Sequence, residues 1–261
     1  MIKSTSKQMT LSGKSLLEEN IEKSKSILKE FNENNKLLIG FSGGKDSSVL
    51  LDLAVKTLPL DDIYVIFEDT KIEFKETYDY TDFVIKDYYK IPEDHYFVTT
   101  PTKSFWDVLK SRKNKLMWVT RWRDCCYTLK KTPLNKVMHR EGFDYAVSGV
   151  RKVESMQRSV ANLTSHMDVK VDYHMLNPIL EWTDNNIWDY IEENDLPINE
   201  IYFKGYERCG CAVCPCPNKA WDYYGKLRET HPNWYKAIMR NCDEGIKGEK
   251  FYRHTWKEVE G

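Results

Sequence analysis

No cysteine occurs before Cys125, and the formal charges nearly cancel, with 39 Lys+Arg against 40 Asp+Glu for a net charge of -1. The first gap keeps thiol chemistry out of the N-terminal half. The second removes any global field that would draw the chain to nucleic acid or an anionic membrane, so such a partner would need a local patch. Long apolar runs are missing too: no window approaches the roughly 20 residues of a membrane span. The N-terminal "MIKSTSKQMTLSGKS" has lysines but no apolar stretch behind them. These absences predict a cytoplasmic protein with no membrane partner. There is no internal repeat and no low-complexity linker, so 261 residues read as one large domain or one domain with a small appendage.

What is present is alternation. "KLLIGF" (36–41), "IYVIF" (63–67), "YFVTT" (96–100) and "YAVSGV" (145–150) read as buried strands. Between them lie helical stretches such as "SSVLLDLAVKTL" and "YDYTDFVIKDYY", and "SLLEENIEKSKSILKE" predicts an amphipathic first helix. The expected fold is α/β, a twisted, mainly parallel sheet with helices on both faces, whose ligands sit beyond the carboxyl ends of the strands. After about residue 175 the texture changes. Thr183 is a candidate N-cap for a helix bearing Ile187, Trp188 and Ile191, and a cysteine-rich loop and one last helix near 219–241 follow. The expected division is a nucleotide-binding part with its N-terminal helix over 1–175 and a helical, cysteine-rich part over 176–261.

"GFSGGKDSSVL" places Ser42, Gly43 and Gly44 between an apolar strand and a helix opening through Asp46, Ser47 and Ser48. Glycines let successive N–H groups converge, and the helix N-terminus adds partial positive charge, which makes an anion cradle. A Walker A loop is excluded, because Ile39 stands where its first glycine belongs and Asp46 follows Lys45 in place of Ser or Thr. "SGKS" at 12–15 lacks both the first glycine and a preceding strand, and reads as a helix cap. Downstream, "TRWRDCCYTLKKTPL" surrounds Cys125 and Cys126 with positive charge that favours thiolates. "SGVRKVESMQRS" adds Arg151, Lys152 and Arg158 at the same expected sheet edge, and "CGCAVCPC" packs Cys209, Cys211, Cys214 and Cys216 too tightly for an ordinary disulfide framework. Metal binding or redox chemistry is the alternative in a reducing compartment.

"SGGKDS" resembles the PP-loop of the adenine nucleotide α-hydrolase superfamily at all six positions. With "EDTKIEFKETY", "CCYTLKKTPL", "SGVRKVESMQRS" and "NPILEWTDNNIWDYIEENDLPINEIYFKGYERCGCAVC", the chain from about 36 to 217 resembles the phosphoadenylyl and adenylyl sulfate reductase family. The resemblance implies that Ser42, Gly43, Gly44, Lys45, Asp46 and Ser47 bind the nucleotide, with Asp69, Arg151 and Arg158 as further contacts and Lys45 and Asp46 acting in catalysis. It also implies that Cys125, Cys126, Cys211 and Cys214 hold a 4Fe-4S cluster close to Lys130. The alternative is zinc held locally by Cys209, Cys211, Cys214 and Cys216. Two departures stand out: Leu129 replaces an arginine, and the family's C-terminal Glu-Cys-Gly-Leu-His motif is missing. Cys242, in "MRNCDEG", is a candidate nucleophile or else a structural helix cysteine.

Three functions compete. The first is ATP-dependent adenylation of an acceptor, a small molecule or a nucleic acid, followed by sulfur transfer from a sulfur donor. The second is reduction of adenylyl sulfate or phosphoadenylyl sulfate by a thiol reductant, with release of sulfite. The third is a non-catalytic nucleotide- and zinc-binding subunit. A homo-oligomer or a place in a larger complex is expected.

Overall fold

The computed structural model describes residues 15–110, 125–152, 173–214 and 220–243. Helix α1 (Leu16–Asn32) starts at the cap expected from "SGKS": Ser15 Oγ accepts from Glu18 N at 3.2 Å, and Glu18 Oε2 accepts from Ser15 N at 2.7 Å. Strand β1 (Leu37–Gly40) leads into α2 (Lys45–Val55), and β2 (Tyr64–Glu68) into α3 (Lys75–Asp82), which runs on into a wider π-type coil over 83–88. Next come β3 (Tyr96–Thr99), α4 (Phe105–Lys110), α5 (Thr132–Glu141), β4 (Tyr145–Val147), β5 (His174–Leu176), α6 (Asp184–Glu193), α7 (Ala220–Thr230) and α8 (Pro232–Asp243).

All described pairings are parallel, and the strand order is β3-β2-β1-β4-β5. The sheet is the expected one. Its strands alternate sides with a period of two. Leu37, Ile39, Val65 and Val147 enter the core under α1, α2 and α6, whereas Leu38, Ile66 and Ala146 face Val137 and Met138 of α5. Trp182, buried against α1, donates from Nε1 to Ser24 Oγ at 3.0 Å.

A third cluster lies off the sheet. Ile72 and Phe74 from the segment after β2, Cys125 and Leu129, Ala212 and Val213, and Tyr224, Leu227 and Ile238 from α7 and α8 bury one another. Ala212 N donates to Ile72 O at 2.7 Å. This packing brings the two cysteine segments to the same side of the molecule as the loop after β2.

Three details differ from the sequence expectation. β5 is a three-residue strand that no apolar run announced. β4 stops at Val147, so Ser148–Val150 belong to the following loop. The single last helix expected near 219–241 is two helices, because Pro232 has no N–H to continue a ladder and starts a new helix instead.

Candidate active site

Winding outward from β1 to β3 on one side and to β5 on the other leaves a crevice between the carboxyl ends of β1 and β4, where the connections diverge. The loops after these strands touch. A Cβ on Gly149 would lie 3.1 Å from the Asp46 backbone, so a larger residue there would have to push the two loops apart by a few tenths of an ångström. Gly43 has φ +71, a left-handed conformation, and a Cβ there would come within 2.9 Å of Thr77 Cγ2.

The loop is fastened from within and from behind. Ser47 Oγ accepts from Ser42 N at 3.2 Å and donates to Gly44 O at 2.8 Å. Asn199 Nδ2 donates to Gly43 O at 3.0 Å, and Lys45 N donates to the Tyr202 hydroxyl at 2.9 Å. The Cys209 thiol donates to Gly43 O at 3.2 Å, and burial pushes it up to about 12. Cys209 therefore serves the phosphate loop as a neutral thiol in this arrangement.

Four charges sit at the mouth. Lys45 Nζ lies 3.0 Å from Asp46 Oδ2 and 3.3 Å from Asp184 Oδ1. Arg151 Nε donates to Asp46 Oδ1 at 2.5 Å, Nη2 to Asp184 Oδ1 at 2.7 Å, and Nη1 to Trp182 O at 3.3 Å. Lys45 and Arg151 are buried and Asp46 is only 18% exposed. Lys45 and Asp46 are the first residues of α2 and are enclosed rather than open to solvent, with the Arg151 loop beside them. Asp69 stands at the end of β2, accepting from Tyr78 OH at 2.6 Å and Lys71 Nζ at 2.6 Å. Burial would raise its carboxyl, but the Lys71 and Tyr78 hydrogen bonds hold it below the ordinary value. Arg158 lies outside the described residues.

The thiol side adjoins the segment after β2. Cys211 Sγ is 3.5 Å from Thr70 Oγ1 and 3.7 Å from Glu73 Oε1, and Lys130 Nζ is 3.7 Å from the same Glu73 oxygen. Burial, then Glu73, raises the Cys211 thiol well above its ordinary value against the pull of Lys130. Lys130 is itself raised: burial would lower it, but the charges of Glu73, Cys211, Glu68 and Cys126 outweigh that. Cys125 is buried and Cys126 exposed. Cys211 and Lys130 thus meet at Glu73, and the charges of Cys126 and Cys214 reach Lys130 and Cys211 respectively. Among the described residues no three His, Cys, Asp or Glu side chains are grouped to hold a single metal ion. The donors nevertheless suit a cluster in kind, since several thiols from two segments can each take a different iron. Cys216 lies outside the described residues, and Cys242 falls in the last turn of α8 with its side chain outside them.

Sequence reasoning missed Asn199, Tyr202, Asp184 and Glu73. Glu73, a charge between Ile72 and Phe74 in "KIEFK", carried a usable signal: such a residue is drawn into the core with its apolar neighbours. Asp184 showed only as the residue after a helix cap, and Asn199 and Tyr202 lay within the quoted family segment without a residue pattern that singled them out.

A parallel α/β fold with a glycine-rich anion loop at its switch point defines a nucleotide-binding protein of the PP-loop type. The chain belongs to the phosphoadenosine phosphosulfate reductase family, whose domain model matches residues 36–217. It is 33% identical over 250 residues to the uncharacterized protein MJ0973 of Methanocaldococcus jannaschii, covering 91% of this chain and 57% of that protein. It thus spans little more than half of that relative's length. It is 32% identical over 183 residues to an adenosine 5'-phosphosulfate reductase of Staphylococcus epidermidis, covering 70% of this chain and 72% of the relative. In fold it is similar to the phosphoadenylyl-sulfate reductase of Candida auris, with TM-score 0.53 and 20% identity over 78% of this chain and 96% of that one. The FMN adenylyltransferase of Candida glabrata matches with TM-score 0.52 and 19% identity over 80% of this chain and 67% of that one. The chain is accordingly read as an enzyme of this family. No helix among the described residues is long and apolar enough to cross a membrane.

Proposed function

We propose that the protein binds ATP with its phosphates on Ser42–Ser47, activates an acceptor by adenylation, and replaces the AMP with sulfur. The observation that carries this reading is adjacency: Thr70, bonded to Cys211, directly follows Asp69 at the end of β2, next to the strand that feeds the phosphate loop. Nucleotide and thiol chemistry thus share one sheet edge. Lys45 and the α2 N-terminus attract the phosphates, and Arg151 orients them through its planar fork. Asp46 holds that fork in place. Cys125, Cys126, Cys211 and Cys214 would hold a 4Fe-4S cluster, which supplies electrons or a sulfur-binding iron when present.

A second reading, reduction of adenylyl sulfate to sulfite, is favoured by the identity to proteins named adenosine 5'-phosphosulfate reductase. Anaerobically purified protein separates the two. Pyrophosphate released from ATP in the presence of an acceptor supports the first. Sulfite released from adenylyl sulfate with a thiol donor, and no pyrophosphate from ATP, replaces it with the second.

A further inference from the structure

Asp184 differs from the other members of the charged network in its exposure. Its side chain is 66% exposed, whereas Lys45 and Arg151 are enclosed and Asp46 nearly so. Even so, one oxygen of this solvent-facing carboxylate bridges the two buried cations, 2.7 Å from Arg151 Nη2 and 3.3 Å from Lys45 Nζ. Its backbone is fixed, because it is the first residue of α6, held between the Thr183 and Asn186 partners of the capping box. Burial would raise its carboxyl, but Arg151 and Lys45 hold it below the ordinary value, so it is an anion at neutral pH.

An anionic oxygen set between an ammonium and a guanidinium, open to solvent on its far side, has the charge and the partners that a phosphate oxygen would need. We propose that Asp184 is an internal competitor for the phosphate site: its carboxylate occupies the anion position in the ligand-free protein, and a phosphate binds by displacing it. This rests on the phosphate-loop reading above. Asp46 is not displaced. It keeps Arg151 Nε from the inner side while Trp182 O keeps Nη1, so the guanidinium stays aimed at the vacated position. Swinging out one exposed carboxylate needs only a side-chain rotation, whereas moving Asp46 would break the buried Arg151 contact.

The test is calorimetric titration of inorganic pyrophosphate into the full chain and into Asp184→Asn, which keeps the shape and removes the charge. The variant should bind on the order of tenfold more tightly, the scale expected for freeing a charge-assisted contact. Equal or weaker binding with an unchanged melting temperature overturns the proposal, as does the absence of binding in both proteins. Lys45→Ala, measured in parallel, should weaken binding in either background. If it does not, the phosphate-loop reading itself fails and the proposal with it; if Lys45→Ala weakens binding but Asp184→Asn does not strengthen it, only the proposal fails. The unmodified protein gives an independent readout. Carbodiimide labelling of Asp184, mapped by mass spectrometry, should rise when pyrophosphate is added, and unchanged or reduced labelling overturns the proposal even where the variant misfolds.

Discussion

Lys45 and Lys130 occupy the same functional side of the molecule and are held in opposite ways. Lys45 shares two carboxylates with Arg151 at 2.5 to 3.3 Å, so two cations face two anions. Lys130 has its nearest carboxylate oxygen at 3.7 Å and lies within the fields of Glu73, Cys211, Glu68 and Cys126. Acidic groups outnumber it. The phosphate side is therefore matched in charge by the protein alone, whereas on the thiol side the one close carboxylate and its lysine stand further apart. Cys211 is held as a thiol here by burial first and by the Glu73 charge second, against the pull of Lys130.

The largest expected effect breaks the balanced side. Arg151→Ala leaves Asp46 and Asp184, the first of them largely enclosed, with Lys45 as their remaining shared cation. It should cost about 3 kcal/mol in urea unfolding, along with nucleotide turnover. Arg151→Lys should keep the charge yet lose most of the nucleotide binding, because an ammonium cannot hold Asp46 and a phosphate through one planar fork. Wild-type affinity in that variant would remove Arg151 from the site.

On the other side, Cys126→Ala should remove most of the iron and sulfide from anaerobically purified protein while leaving the circular dichroism of the fold in place, since Cys126 is exposed. Full metal content, with the metal identified as zinc, would instead make the thiol side a local structural site.

Glu76 supplies a control outside both lysine networks. Burial would raise its carboxyl, but hydrogen bonds from Lys204 and His231 bring it from 4.5 to about 2. A depressed folded value means stability that is present above 4.5 and drains away as pH falls toward 2. After solvent screening the amount is about 1–2 kcal/mol. Glu76→Gln should flatten this acid limb in urea titrations at pH 2 to 6 without altering pyrophosphate affinity at neutral pH.

The smallest effect concerns the frame of Asp184. Thr183→Ala removes the bond that Thr183 Oγ1 accepts from Asn186 N at 3.1 Å and should lower unfolding stability by about 1 kcal/mol.

The phosphate loop was legible because its chemistry is local: strand, glycines and helix start follow one another within a dozen residues. The caps at Ser15 and Thr183 were legible for the same reason. Asp184 and Tyr202 were hidden because their roles exist only after folding, 33 and 157 residues from the partners they hold. β5 escaped because three residues pairing with β4 need no apolar run of their own. The break at Pro232 could have been read from the proline, but amphipathic spacing continued across it and masked the boundary. Cys209 adds a contact its spacing did not suggest: packing gives its thiol to Gly43 O.

Behind the phosphate loop, Asp52 of α2 accepts from Tyr89 OH at 2.8 Å and Tyr190 OH at 2.6 Å, with Lys56 Nζ at 2.8 Å. Mechanically this is a rear mounting. The helix that opens at Lys45 is bolted to two other elements two turns back, so sliding it along its axis like a piston would break both bonds. Cutting one bolt, as in Tyr190→Phe, would give α2 an axial play that the intact protein lacks.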